Sequence, residues 1–393
     1  MTSEAEAAAA VLAGVTVLPP ANVSLFDSLG RFAARDVLAE RALPDFDNSA
    51  MDGYAVQAAS CPAGAHLRIS GEQPAGVDRG LTMGPGEAIR IFTGAPLPAG
   101  ADAVIMQEDV SREEMTIVAR CAAEPGEFIR RQGSDLALGQ KILARGERVT
   151  AQTLALLASQ GRAEVEVGGR PRVAIVSTGD ELARAGESVQ PGQIFESNSI
   201  MLRALALGLG ADFTLVEHCP DDLARMTEIF RRGLEGDALI VSGGVSVGDH
   251  DFVKPALRAL GAEIDLWRVA IKPGKPFLFG RAGRCSIFGL PGNPVSAFVT
   301  FQKFVRPALQ KMKGAAEKDF GLRKVPARLA AEITNDGNRP HYLRGHLEEG
   351  VFQLIGRQES HALFGLSLTN ALLRLEPGAA LTADADVLVE LLD

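Results

Sequence analysis

Three short apolar runs, Val173-Ala174-Ile175-Val176, Ala238-Leu239-Ile240-Val241 and Cys285-Ser286-Ile287-Phe288, are each followed by a polar or glycine-rich loop and then by a helix-like segment. Unbroken apolar runs of that length suit strands covered on both faces, and an open α/β sheet made of them binds ligands beyond its carboxyl strand ends. The loops are Ser177-Thr178-Gly179-Asp180-Glu181, Ser242-Gly243-Gly244-Val245-Ser246-Val247-Gly248-Asp249 and Gly289-Leu290-Pro291-Gly292-Asn293-Pro294. Glycine lets the backbone come close to a ligand, so successive amides in such turns form anion-binding concavities. Three strand-loop-helix units are therefore expected to converge on one sheet edge, offering both amides and carboxylates.

The alternation extends from residue 171 to about 314, with further strand-like and helix-like stretches at residues 213–217, 200–207 and 223–232. This predicts a doubly wound parallel sheet. It closes with Asn293 as helix cap, Pro294 at the first helical position, and an amphipathic helix through Phe298, Phe301, Val305 and Leu309. From residue 45 to 135 the texture is different: Gly and Pro recur between short β-rich runs, as in a small β domain. Beyond residue 320 turn clusters again separate β-like runs. The Ala-rich start, residues 25–40 (Leu25, Phe26, Leu29, Phe32, Ala33) and a segment capped by Thr150 and stopped at Gly161 have helical spacing. The chain thus reads as an α/β multidomain protein, consistent with 393 residues, more than one hydrophobic core usually serves.

A hydrophobic fraction of 46% and a charged fraction of 23%, with no apolar run of about 18 residues, exclude a membrane span. Glu4 and Glu6 stand where a secretory signal would carry Lys or Arg, which points to the cytoplasm. A net charge of −9 without a basic block argues against nucleic acid as a partner. Cys61, Cys121, Cys219 and Cys285 form no CxxC pair and read as small hydrophobes.

An anionic ligand must meet local positive charge, and Lys272-Pro273-Gly274-Lys275-Pro276 supplies it. Prolines stiffen this turn, and two ammonium groups held close repel unless an anion lies between them. Arg268, four residues earlier, is expected on the same strand face as Lys272. Carboxylates crowd the same edge: Asp180, Glu181, Asp221, Asp222, Asp249 and Asp251. Beside bound phosphates they call for a divalent cation, and carboxylate with phosphate oxygen is the usual Mg²⁺ environment. In the small β domain, residues 46–56 and 93–102 read on physical grounds as turns, since Asp52-Gly53 is a hairpin signal.

Together these segments resemble the molybdopterin molybdenumtransferase family (MoeA-like, of molybdenum cofactor biosynthesis). The resemblance rests on residues 44–56, 93–109, 131–135, 177–182, 242–254, 272–279 and 289–297, in matching order and spacing over about residues 20 to 320. It implies a discontinuous helical linker domain (1–44 and 136–170), an inserted β domain (45–135), an α/β molybdopterin-binding domain (171–320) and a carboxyl-terminal β barrel (321–393). The implied reaction is Mg²⁺-dependent insertion of molybdenum from molybdate into adenylylated molybdopterin, releasing AMP. A homodimer is also implied, its site between the α/β domain of one protomer and the β domain of its partner. A molybdopterin adenylyltransferase and molybdoenzymes follow as further partners.

By the same resemblance, Asp52, Thr93, Asp135, Glu181, Asp221 and Asp251 serve the reaction, the last three also holding the metal. The substrate set is Ser177, Thr178, Gly179, Asp180, Ser242, Gly243, Gly244, Ser246, Gly248, Asp249, Arg268, Lys272, Lys275, Pro291, Gly292, Asn293, Pro294 and Arg344. Arg268 stands where many relatives have Lys, replacing a compact ammonium with a planar fork. Arg344 fits a family arginine through Leu343-Arg344-Gly345 alone, and Ser360 before His361 is a weak counterpart of a family serine. Two other readings stay open at this level: molybdopterin adenylyltransferase, which the α/β domain alone also resembles, and a non-catalytic scaffold that passes the pterin between enzymes.

Overall fold

The computed structural model describes residues 1–245 and 252–392, and the chain forms two compact units. One comprises Met1–Arg35, Arg145–Leu154 and Ala163–Asp393; the other Asp36–Ala144 and Ala155–Arg162.

The first unit is built on a six-stranded sheet of β1 (Arg172–Thr178), β2 (Asp212–Cys219), β3 (Ala238–Ser242), β4 (Glu263–Trp267), β5 (Leu278–Ala282) and β6 (Cys285–Leu290). Strand order is β2-β1-β3-β6-β5-β4. The first four in that order run parallel, as helix-strand alternation predicts, while β5 and β4 continue the sheet antiparallel. Helices α1 (Asn198–Gly208) and α2 (Leu223–Gly233) connect β1 to β2 and β2 to β3. They cover opposite faces: Leu202 and Ala206 of α1 pack with Val173 and Ile175, whereas Met226, Ile229 and Phe230 of α2 pack with Ala174 and Val176. Both faces of β1 are therefore buried, which explains its unbroken apolar run. Because the chain leaves β1 on one side and returns on the other, β1 and β3 flank a topological switch point, where open sheets bind ligands.

The segment after β6 is one long helical stretch: an α-helical part Pro294–Thr300, a π turn Phe301–Val305 and a second α-helical part Arg306–Met312. Val295, Val299, Phe301, Phe304, Val305 and Leu309 are buried along it. Each large apolar side chain removed from water contributes about 1.5–3 kcal/mol, so this stretch is a main anchor of the core. The strands Lys324–Leu329, His341–Glu348, Val351–Leu354, Ala371–Leu375 and Asp386–Leu391 close into a barrel over Leu343, Phe352, Leu373 and Val389.

The second unit carries a six-stranded sheet in the order Ala103–Met106, Gly53–Val56, Glu87–Ile91, His66–Gln73, Thr116–Ala119, Val110–Glu113. Gly53 is required there, because a Cβ would lie 2.0 Å from the Ile105 carbonyl oxygen.

Two local expectations are corrected. Residues 25–40 are not a helix but a 3₁₀ turn, Phe26–Ser28, followed by backbone pairings. The Gly30, Ala33 and Ala34 amides donate to the Val149, Glu147 and Glu166 carbonyls, so remote extended segments capture the backbone and override the helical spacing. Arg268 does not share a strand face with Lys272: β4 ends at Trp267, and Arg268 has a φ of 75°. Among the described residues no helix is long and apolar enough to cross a membrane, and all four cysteines are free thiols.

Candidate active site

Register assembles the site. Ser177 of β1 pairs with Ser242 of β3, and Ser242 with Leu290 of β6, while Thr178 pairs with Cys219 of β2. The residues that follow these four positions therefore start their loops side by side. They open into a cleft of about 950 Å³ lined by Ser177, Thr178, Gly179, Glu181, Asp221, Ser242, Gly243, Gly244, Lys272, Lys275, Pro291, Gly292, Asn293 and Pro294. Fourteen of the expected residues thus meet on one surface. Ser246, Gly248, Asp249 and Asp251, expected at the same edge, lie outside the described residues.

The loops are held by specific contacts. Gly243 has a φ of 94°, and a Cβ there would come within 2.6 Å of the Thr178 carbonyl oxygen, so the loop crosses β1 only without a side chain. Its amide donates to the Leu290 carbonyl at 3.0 Å, and the Val295 amide to the Ser360 carbonyl at 3.1 Å. These two amides are spent internally, although the loop compositions suggested that they would face an anion. Asn198, at the start of α1, donates through Nδ2 to Ser242 Oγ at 2.9 Å and to the Gly292 carbonyl at 2.6 Å, tying two loops together. Asp180 is directed at its neighbour: its Oδ1 accepts the Asp221 amide at 3.0 Å.

Among the described residues, Ser177 Oγ, Thr178 Oγ1 and Asn198 Oδ1 are buried without a hydrogen-bond partner. Unsatisfied polar atoms are costly in a folded interior, and three beside one cleft indicate a polar ligand. Across the cleft, Lys272 and Lys275 supply positive charge. The backbone of Lys272 is gripped on both sides: its amide donates to the Pro340 carbonyl at 2.9 Å, and its carbonyl accepts the Tyr342 amide at 2.7 Å.

The barrel adds Gln358, Glu359, Ser360 and His361, with Arg339, to the same wall. Arg344 reaches the cleft only through that segment. It is fully buried, and its guanidinium donates to the carbonyls of Ala362 at 2.7 Å, Glu359 at 3.2 Å and Arg357. Arg268 does not line the cleft. Asn198, Arg339, Gln358 and Glu359 were missed by sequence reasoning, since none belongs to the loops that follow β1, β3 and β6 or to the two-lysine turn. The Asn at the start of α1 was the one available signal.

In the second unit, Asp52 Oδ1 accepts both the Thr93 amide at 2.8 Å and the Thr93 hydroxyl at 2.9 Å. These two bonds from Thr93 hold the Asp52 carboxyl below the usual carboxylate range, with Arg90 contributing. Arg90 lies over the rings of Tyr54 and Phe92 and donates to Gln107 Oε1 at 2.6 Å. The turns 46–56, 93–102 and 131–135 fold against one another. Asp47 binds Arg131 and the Gln132 amide, each at 2.7 Å, and the Gly94 amide donates to the Ser49 carbonyl. Asp135 is exposed, and its amide is bonded to the Leu43 carbonyl at 2.9 Å.

Among the described residues no three His, Cys, Asp or Glu side chains stand close enough to hold a metal ion by themselves. Mg²⁺ does not require such a cage, because one or two carboxylates with substrate phosphates serve it. Glu181 and Asp221, two oxygen donors on the cleft, fit that description.

Residues 2–161 match the family description "MoeA N-terminal region (domain I and II)", residues 174–311 "Probable molybdopterin binding domain", and residues 326–392 "MoeA C-terminal region (domain IV)". The chain is 38% identical to the molybdopterin molybdenumtransferase of Nostoc sp. over 382 residues, covering 93% of this chain and 87% of that protein. It is 37% identical to that of Haemophilus influenzae over 366 residues, covering 90% and 89%. A solved structure of the molybdopterin biosynthesis MoeA protein from Pyrococcus horikoshii superposes with a TM-score of 0.86 at 30% identity, covering 100% of this chain and 99% of that one.

Proposed function

The chain belongs to the molybdopterin molybdenumtransferase family, and on that premise we propose how its own residues carry the transfer of molybdenum from molybdate to molybdopterin. The pterin arrives adenylylated, and AMP leaves as molybdenum is inserted. One observation carries this reading: the loops after β1, β3 and β6, the two-lysine turn and two carboxylates all line a single cleft.

Lys272 and Lys275 hold the phosphates of the anhydride and of the pterin. Ser177 Oγ and Thr178 Oγ1, unpartnered in the protein, bond the ligand at the ends of β1. Glu181 and Asp221 hold Mg²⁺, with Asp251 as the third carboxylate of the set. When bound, Mg²⁺ offsets phosphate charge as the anhydride is cleaved. The protein contributes by positioning and electrostatics, with no covalent intermediate. Neither Cys219 nor Cys285 is suited to attack, since burial pushes their thiols up to about 11 and about 12. Thr93 orients Asp52 and keeps it ionised, which makes it a hydrogen-bond acceptor for the insertion step. The working form is a cytoplasmic homodimer, a state that light scattering reads directly. It receives its substrate from an adenylyltransferase and passes its product to molybdoenzymes.

A single-turnover reaction with adenylylated molybdopterin, molybdate and Mg²⁺ tests the proposal. AMP and molybdenum-loaded pterin should appear in equal amounts. Asp52→Ala should fold with an unchanged melting curve and lose at least about a hundredfold in loaded pterin. Normal yield from that variant removes Asp52 from the reaction, and loaded pterin without AMP refutes the adenylylated substrate.

A further inference from the structure

The two-lysine turn is not held by the sheet alone. On one side the backbone of Thr2 pairs in parallel with Val269, and the Ala270 amide donates to the Thr2 carbonyl at 2.8 Å. The Val269 amide in turn donates to the Lys275 carbonyl at 3.0 Å, closing the turn. On the other side the barrel strand His341–Glu348 runs past Lys272, with the Tyr342 amide on the Lys272 carbonyl at 2.7 Å. Two straps from opposite ends of the chain thus bracket residues 269–275.

The straps are fastened to each other by side chains. Glu4, two residues after Thr2, accepts the Tyr342 hydroxyl through Oε1 and Arg374 Nε through Oε2 at 2.8 Å. Tyr342 is 1% exposed. The Lys303 ammonium lies 4.9 Å from the centre of the Tyr342 ring, 4.0 Å from Glu4 and 2.8 Å from Glu390. Lys303 belongs to the π turn Phe301–Val305, and such turns recur at functional sites. Five residues, Glu4, Lys303, Tyr342, Arg374 and Glu390, form a half-buried network that reaches the cleft through the Tyr342–Lys272 backbone bond. A simple clasp of the barrel would not require Tyr342 to bond Glu4 with its side chain and Lys272 with its backbone.

We infer that Glu4 and Tyr342 are positioning residues that set the affinity of the cleft for the phosphates of its substrate, by fixing the backbone of the two-lysine turn at Lys272. The inference rests on the reading that these lysines hold the anionic substrate. Neither positioning residue touches the ligand. Their effect therefore passes through Lys272.

The test uses the full chain, with pyrophosphate as the titrated probe and steady-state turnover as the second readout. Tyr342→Phe, which keeps the ring beside Lys303, and Glu4→Gln should each raise the pyrophosphate Kd roughly three- to tenfold, the span of one net hydrogen bond. In turnover the rise should fall on KM for the adenylylated pterin, with kcat within about twofold. A double-mutant cycle separates positioning from general weakening: in a Lys272→Met background, Tyr342→Phe should add nothing further. Wild-type Kd in both single variants, or an equal loss from Tyr342→Phe with and without Lys272, overturns the inference and leaves the cleft reading standing. Wild-type Kd in both Lys272→Met and Lys275→Met defeats the cleft reading, and the inference with it.

Discussion

At the scale of single residues, position decides what a side chain costs. Gly243 takes a left-handed conformation with the Thr178 carbonyl oxygen 2.6 Å from where a Cβ would stand, and that obstacle is backbone, which cannot swing aside. Gly243→Ala should therefore lose about 1–3 kcal/mol in denaturant unfolding, whereas at an unstrained site the same change gains about 0.4–1 kcal/mol. Lys313 shows the same dependence for charge. Burial, with Arg148, Arg31, Arg170 and Arg306 nearby, pushes its ammonium down to about 8 from 10.5. Below pH 8 it is charged in the folded and unfolded chain alike, and the folded state bears the full cost of the buried charge. Between pH 8 and 10.5 the unfolded chain binds more protons, so stability rises with pH. The melting temperature of the native protein should thus gain on that of Lys313→Met between pH 7.5 and 10, and a constant difference would exclude the charge as the cause.

At the scale of elements, the cleft depends on connectors as much as on strands. The segment from Arg357 to Ala362 has little regular structure, yet it supplies one wall because Arg344 satisfies three of its carbonyls from within. Arg344→Met should cost about 3–5 kcal/mol by leaving those carbonyls unpaired. Limited proteolysis should then cut within residues 355–363. Arg344→Lys should rescue little, since one ammonium cannot reproduce a planar fork aimed at three acceptors. Asn198 does comparable work for two glycine-rich loops with a single amide group.

At the scale of the whole molecule, the proposed reading requires a chain of net charge −9 to bind a polyanion, which is possible only where local charge outweighs the average. Lys272 and Lys275 provide that reversal on an open cleft, where salt screens effectively. Raising ionic strength from about 50 to about 300 mM should weaken pyrophosphate binding several-fold, because the Debye length shortens over that range. A salt-independent Kd would mean that neutral hydrogen bonds, rather than the lysines, carry the affinity.

What the sequence determined is whatever is local in its physics. Apolar runs marked β1, β3 and β6, turn chemistry marked their loops, and Asn293-Pro294 marked a helix start, because each signal lies within a few residues of the structure it causes. Fourteen cleft residues could be named for that reason. Only the tertiary structure decided that residues 25–40 pair with remote segments instead of coiling, that the strand stops before Arg268, and that Arg344 bonds three carbonyls of a cleft wall. It alone could bring Glu4 to Tyr342 across 338 positions. Contacts so distant in the chain leave no periodic trace in composition or spacing, since their partners meet only after the sheet and barrel have formed.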